Sequence, residues 1–267
     1  MIVDEASPLY LASNAEVMRS LASQFRSQLY RMGVPFRQYL LRDLTAGRVP
    51  GHKAYLFIGC FRLTEAQREA AGRATAGRTA VWFYGSGFIS DRPETQNLGR
   101  LLGMPVREVE GGVAALIAPE TGSPLCAGLP ETPFGVSTAL QPLWRIEESS
   151  GVEVLGRFGD GGPGAAALRR DGGFSVYIGT LNAPAKLLRN ILAASGVHVY
   201  LDSDDVLTAG GEFLSVTATT GGMKTVRLPG TFAVRRTLPD EAELGRVAGF
   251  AEEFAEGETR FYTVEAD

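Results

Sequence analysis

Ser86 stands between two glycines at the end of an apolar run, Val81-Trp82-Phe83-Tyr84-Gly85-Ser86-Gly87. A serine at such a strand end can attack substrate from a nucleophile elbow, a strained turn that closes only when small residues lie two positions before and after it. Those positions hold Tyr84 and Phe88, both bulky, so the ordinary reading is a turn serine. A Gly-rich loop can also cradle phosphate when it runs straight into a helix whose first amides and dipole face the anion. Here Phe88-Ile89-Ser90-Asp91-Arg92-Pro93 follow, with no helix start, and the loop matches neither of the glycine-rich nucleotide motifs. Turn geometry then accounts for Gly85 and Gly87.

Three other positions carry reactive side chains. Cys60 follows the apolar run Ala54–Gly59. A catalytic cysteine needs its pKa lowered by a helix N-terminus or a basic neighbour. Thr64 opens a helix only a few residues on, yet a buried Cys more commonly serves as a small hydrophobe. His198 sits in Val197-His198-Val199-Tyr200-Leu201-Asp202, where strand alternation puts His198, Tyr200 and Asp202 on one face. Asp4 and Glu5 end the first short strand. Paired acids there hold magnesium in phosphate-receiver folds, but the phosphoryl acceptor's position, after the third strand, is taken by Cys60. Asp4 and Glu5 are therefore expected to hold nearby loop amides.

Two cysteines (Cys60, Cys126) and two histidines (His52, His198) occur in 267 residues. None lies in a CxxC or in a spacing suited to zinc, so no metal or organic cofactor is expected. Lys and Arg number 26 against 30 Asp and Glu, a net charge of −4 without a basic stripe, which argues against a nucleic-acid partner. No apolar run is long enough to span a bilayer. The first residues lack the basic and long apolar regions of a secretory signal, so no membrane partner and a cytoplasmic location are expected. The very short strand Met1-Ile2-Val3 reads as the start of a piece of something longer.

The elements that must position these residues alternate strand and helix through the first part of the chain. A helix is expected from about Asn14 to Met32, since Val17, Leu21, Phe25 and Leu29 recur every four residues, with Gly33 and Pro35 ending it. Phe36 to Leu41, Ala54 to Gly59 and Thr79 to Tyr84 read as strands. Thr64-Glu65-Ala66-Gln67 fits a capping box, opening a helix that ends near Gly77. Fully apolar strands in this rhythm imply a parallel sheet with helices on both faces. Their carboxyl ends, after Val3, Leu41, Gly59 and Tyr84, should line one edge, where open α/β sheets bind ligands.

Beyond Gly103 short strands dominate: Val106–Val109, Val113–Ala118, Leu143–Glu148, Val152–Phe158, Ala165–Arg169 and Phe174–Gly179, with a Pro/Gly-rich stretch from Pro119 to Pro142. A helix is expected from Pro184 to Ser195, N-capped by Asn182. Val197–Leu201, Val206–Ala209, Phe213–Thr219, Thr225–Leu228, Phe232–Leu238 and Arg260–Val264 read as strands, with a solvated acidic stretch before the last. The expected organisation is an α/β domain over 1–205 and a small, mostly antiparallel β domain over 206–267. Whether residues 106–179 complete the first sheet stays open in the sequence.

The order Val3-Asp4-Glu5-Ala6-Ser7, then Tyr55 through Arg68, then Val81 through Gly87 resembles the class I glutamine-amidotransferase-like domain, a flavodoxin-like α/β fold. It is most similar to the middle, trimerisation domain of family 42 β-galactosidases and related glycosidase-like proteins. Gly196 through Asp204, Phe213-Leu214 and Gly222 through Pro229 are similar to the C-terminal segments that follow that domain. In amidotransferases the strand matching Val81–Tyr84 ends in a cysteine within G-x-C-x-G. Aligning the last glycine with Gly87 puts Gly85 where that nucleophile would be. In the glycosidases the catalytic carboxylates belong to a preceding barrel, so the resemblance carries over no catalytic residue.

The resemblance implies a non-catalytic domain of a glycoside hydrolase, serving oligomerisation or completing a saccharide site. Its partners would be copies of itself or a glycosidase barrel, and a saccharide. Candidate ligand or interface residues are Asp4, Glu5, Cys60, Tyr84, Gly85, Ser86, Gly87, Phe88 and His198, with Tyr84 and Phe88 as exposed aromatic contacts. The residues alone leave open a small hydrolase using Ser86 or Cys60 with His198, and a sensor binding an anion at the strand carboxyl ends.

Overall fold

The computed structural model describes residues 1–11, 17 and 19–266. Its centre is one nine-stranded sheet. Five strands run parallel: β1 (Ile2–Val3), β2 (Tyr39–Leu40), β3 (Ala54–Ile58), β4 (Thr79–Phe83) and, much later in the chain, β11 (Gly173–Ile178). Four antiparallel strands extend the sheet beyond β11: β10 (Pro163–Arg170), β9 (Val152–Phe158), β6 (Ala114–Pro119) and β7 (Phe134–Ala139). The spatial order is β2-β1-β3-β4-β11-β10-β9-β6-β7. The stretch 106–179 therefore completes the first sheet, apart from a separate ribbon of β5 (Val106–Glu108) and β8 (Trp144–Ile146). Strand β7 lies inside the Pro/Gly-rich stretch, where Gly and Pro hide the alternation that marks a strand.

Apolar strands dictate this arrangement. All five residues of β4 are buried, as are four of five in β3, so both faces need cover. On one face Phe57 stacks on Trp82, with ring centroids 4.0 Å apart. Phe25 of α1 (Phe25–Tyr30) meets Phe83 at 4.6 Å. Val17, Leu21, Phe25 and Leu29 are all buried, as their spacing predicts. Of the helix expected over 14–32, residues 14–16 and 18 lie outside the described residues; Ser20–Gln24 forms a π-helical turn ahead of α1.

The next helical elements are a short α2 (Leu41–Thr45), α3 (Glu65–Thr75) and α4 (Thr95–Leu102). The capping box of α3 is complete: the Thr64 hydroxyl accepts from the Gln67 amide (3.3 Å) and Gln67 Oε1 accepts from the Thr64 amide (2.8 Å). Strand β2 is shorter than expected, because the chain turns into α2 at Leu41. Helix α5 (Ala185–Ala194) is flanked at its start by Pro184, not capped by Asn182, whose side-chain amide instead donates to the Gly135 carbonyl at 3.4 Å.

A second, antiparallel sheet has the order β12-β13-β16-β14-β15. Its strands are β12 (Val206–Gly210), β13 (Phe213–Thr217), β14 (Gly222–Leu238), β15 (Ala242–Phe254) and β16 (Thr259–Glu265). The two strands expected at 225–228 and 232–238 are one long strand. The acidic stretch expected to be solvated is β15. As an edge strand it has one neighbour; Leu244, Val247, Phe250 and Phe254 face the core of this sheet, and Glu252 meets Arg236 and, at 3.3 Å, Arg260. Residues 197–201 form no strand beyond a single bridge from Leu201 to Val226; the Tyr200 amide donates to the Gly33 carbonyl at 2.9 Å instead. This sheet has its own core, around Leu207, Leu214, Val216, Val226, Val234 and Tyr262.

Candidate functional site

The turn after β4 is held by backbone geometry and packing. Tyr84 has φ 47°, the only non-glycine positive φ among the described residues. Such a conformation costs about 1–3 kcal/mol and persists only where surroundings over-determine it. Here the Tyr84 amide donates to the Ile178 carbonyl (2.8 Å) and its hydroxyl to the Pro142 carbonyl (2.6 Å). Its ring meets Trp144 at 5.4 Å and Phe61 edge-on at 6.0 Å. The residue is buried, which corrects the expectation of an exposed aromatic contact. Burial, and then the charge of Glu108, push its hydroxyl pKa up.

Both glycines sit where a side chain would crowd its neighbours, and Gly87 is favoured by its backbone conformation as well. A Cβ on Gly85 would come within 3.1 Å of the Trp144 ring. Gly87 has φ 70°, and a Cβ there would lie 2.6 Å from Leu101 Cδ2. The Gly87 amide donates to the Cys60 carbonyl at 2.7 Å, and its own carbonyl accepts from the Arg68 guanidinium. Between them Ser86 is fully buried, its hydroxyl donating to the Phe83 carbonyl at 2.8 Å with the Phe57 carbonyl 3.4 Å away. The strained position of the turn is Tyr84, one residue before Gly85.

Cys60 is also fully buried, with its sulfur 3.7 and 3.8 Å from the Ile58 and Ile2 carbonyls. Burial, followed by the charge of Asp4, pushes its thiol pKa far up, the opposite of an activated nucleophile. Asp4 accepts from the Ala6 amide (3.2 Å) and the Ser7 hydroxyl (2.5 Å), and Ser7 Oγ accepts from the Arg62 amide (3.0 Å). Asp4 thus ties the loops after β1 and β3, as expected. Glu5 does not share that role; it pairs with Arg42 at 3.1 Å.

The carboxyl edge exposes two large apolar side chains beside its charged ones. Leu9 and Tyr10, in the single 3-10 turn Ser7–Tyr10 after β1, are 84% and 49% exposed, and the Arg62 guanidinium lies over the Tyr10 ring at 5.6 Å. Phe88 is half-buried, its ring 4.6 Å from Trp144. The sequence gives no periodic signal for Leu9 and Tyr10, because a single turn is too short to show a buried and an exposed face.

His198 lies elsewhere. It lines a cleft of about 560 Å³ between the large sheet and the second one. Met1, Arg37, His52 and Lys53 line the same cleft and precede β1, β2 and β3, so it opens at the amino edge of the parallel strands. Ser86 and Cys60 are not among its walls. His198 Nε2 is 2.9 Å from the Arg227 carbonyl, and its ring packs edge-on to Tyr200 at 4.8 Å. Asp202, expected on the same face, is paired with Lys186 at 3.1 Å instead. The structure therefore does not bring Ser86 or Cys60 together with His198. Among the described residues no group of three or more His, Cys, Asp or Glu is arranged to hold a metal ion, and no helix is long and apolar enough to cross a membrane.

No protein-family model and no curated protein matches the chain. Its fold is similar to that of solved β-galactosidases. The enzyme of Bacillus circulans sp. alkalophilus superposes with a TM-score of 0.62 at 14% identity, over 99% of this chain and 41% of that one. The cold-adapted enzyme of Rahnella sp. R3 gives 0.63 at 16%, over 98% and 40%. A catalytic variant of Gan42B, a GH42 β-galactosidase of G. stearothermophilus, gives 0.60 at 11%, over 99% and 40%. The chain thus spans about two fifths of the length of these enzymes, and at such identities the likeness is one of fold.

Proposed function

We propose that the chain is a non-catalytic domain of the kind found in family 42 β-galactosidases, acting in assembly and thereby completing a saccharide site on a neighbouring catalytic chain. The observation that carries this reading is the extent of the likeness: both sheets of the chain, over 98–99% of its residues, superpose on parts of those enzymes. On this reading residues 1–205 form a class I glutamine-amidotransferase-like domain resembling the trimerisation domain, and 206–267 the β domain packed on it. Its partners are further copies of itself or a glycosidase barrel.

The turn after β4 supports a structural role. The buried Ser86 hydroxyl, the buried Cys60 thiol and the tied Tyr84 hydroxyl offer no free attacking group at the strand ends. The exposed pair Leu9 and Tyr10 at the same edge supplies an apolar contact surface. Burying one leucine side chain stabilises an interface by about 1.5–3 kcal/mol. Sedimentation velocity of Leu9→Glu tests this. The expected result is a lower association state than the parent chain at equal concentration, with the melting temperature kept, since Leu9 is exposed. An unchanged association state would remove Leu9 and Tyr10 from any interface.

A further inference from the structure

We propose that the cleft between the two sheets is a binding site for an amphipathic organic anion, a carboxylate carried on an apolar body. This goes beyond the assembly role and does not depend on it. The cleft's volume of about 560 Å³ falls in the range of small-molecule sites, roughly 300–1,000 Å³. Its walls come from both sheets. Met32, Leu192 and Leu228 supply buried apolar surface, and Phe36 and Phe232 supply partly exposed rings.

The polar walls have one sign. Among the described residues no Asp or Glu lines the cleft, whereas Arg37, Lys53, His52 and His198 do. Among the described residues the Arg37 guanidinium has no carboxylate partner, and Lys53 has only the Gly196 carbonyl, at 2.6 Å. Elsewhere on this acidic chain arginines find carboxylates readily, as Arg42, Arg48 and Arg157 do. Two cations without carboxylates at the rim of an apolar cleft favour a negative head group and an uncharged tail. His52 is a further polar residue of the wall, and its Nε2 is buried with no hydrogen-bond partner among the described residues. Its ring is wedged between Tyr39 (5.6 Å) and Tyr55 (5.8 Å), which fixes its position. Burial first, and then the positive charges of the N-terminal amine, Arg37 and Arg78, lower its pKa, which favours the neutral imidazole.

Octanoate, octanol, octylammonium and acetate separate the two parts of the claim. Octanoate should raise the melting temperature by about 5 °C or more once it exceeds its Kd about a hundredfold, while octanol gives a smaller shift and octylammonium and acetate give none. Methyl NMR should show octanoate perturbing Met32, which lies in the cleft wall. Arg37→Glu, at an exposed side chain without a carboxylate partner, should melt as the parent does and bind octanoate at least tenfold more weakly. Lys53→Glu should also weaken octanoate binding, by less, and melt slightly lower than the parent because its amine holds the Gly196 carbonyl. Equal shifts with octanoate and octanol, undiminished octanoate binding in Arg37→Glu, perturbation that bypasses Met32, or no binding by any probe would each overturn the proposal.

Discussion

Arg189 joins the two sheets, and its removal should be the costliest single change at that junction. It projects from α5 with its side chain 3% exposed. Nε donates to the Met32 carbonyl (3.2 Å), and Nη2 to the carbonyls of Arg31 and Ser203, both at 2.6 Å. Nη1 donates to the Asp202 carbonyl (3.2 Å), and Asp204 Oδ1 lies 2.8 Å from Nη2. One guanidinium therefore satisfies the end of α1 and the segment that leads into β12. In Arg189→Met the Asp204 carboxylate, 60% exposed, rehydrates, but the buried carbonyls lose charged donors worth about 1.5–3 kcal/mol each, non-additively. Breaking such a buried charged network costs about 3–5 kcal/mol. For a chain of this size about 2–4 °C is lost per kcal/mol, which predicts a fall of about 6–20 °C by scanning calorimetry, with the β unit melting first. Arg189→Lys should recover little, because an ammonium lacks the planar fork. A loss below about 1 kcal/mol with one sharp transition would refute the reasoning.

Three further outcomes are expected. Gly87→Ala should lower stability by about 2–4 kcal/mol, from the positive φ and the overpacking against Leu101, measured by urea denaturation; a neutral effect would mean the turn is not held as described. Cys60 and Cys126 should resist a thiol reagent until the protein unfolds, since burial pushes the Cys60 pKa up strongly and that of Cys126 to about 11; prompt labelling of the native chain would contradict this. Burial works to raise the pKa of Asp205, but hydrogen bonds from Ser203, Lys224 and Thr219 outweigh it and hold the carboxyl below its ordinary value. Its contribution is then complete above about pH 4, the unfolded value, and is lost as pH falls through the lower folded value. Asp205→Asn should flatten that acid limb and leave Lys224 buried and unpaired.

The parts of the fold legible in the sequence are those fixed locally. The α3 capping box and the β3 and β4 runs depend on neighbours in the chain, and they appear where spacing puts them. Strand β15 is hard to read because Gly245, at φ 79°, and Gly249 interrupt the apolar series Leu244, Val247, Phe250 and Phe254, so that its acids read as solvated surface in one dimension. The stretch 197–201 shows the converse: its alternation is real, but the Val197 amide bonds to Leu192 and the Tyr200 amide to Gly33, and only Leu201 makes a bridge. At the candidate site, Gly85 and Gly87 were readable as a tight turn, whereas the burial of Tyr84 was not. It depends on Trp144 and Pro142, some sixty residues away, which no local pattern brings near. The cleft was equally hidden, since Arg37, Lys53 and His198 converge only when both sheets are in place.

The most direct test of the assembly role is the solution mass of the chain by light scattering across a dilution series. A dimer or trimer that dissociates on dilution, and that Leu9→Glu shifts toward monomer, is the expected result. A monomer at every concentration would contradict it.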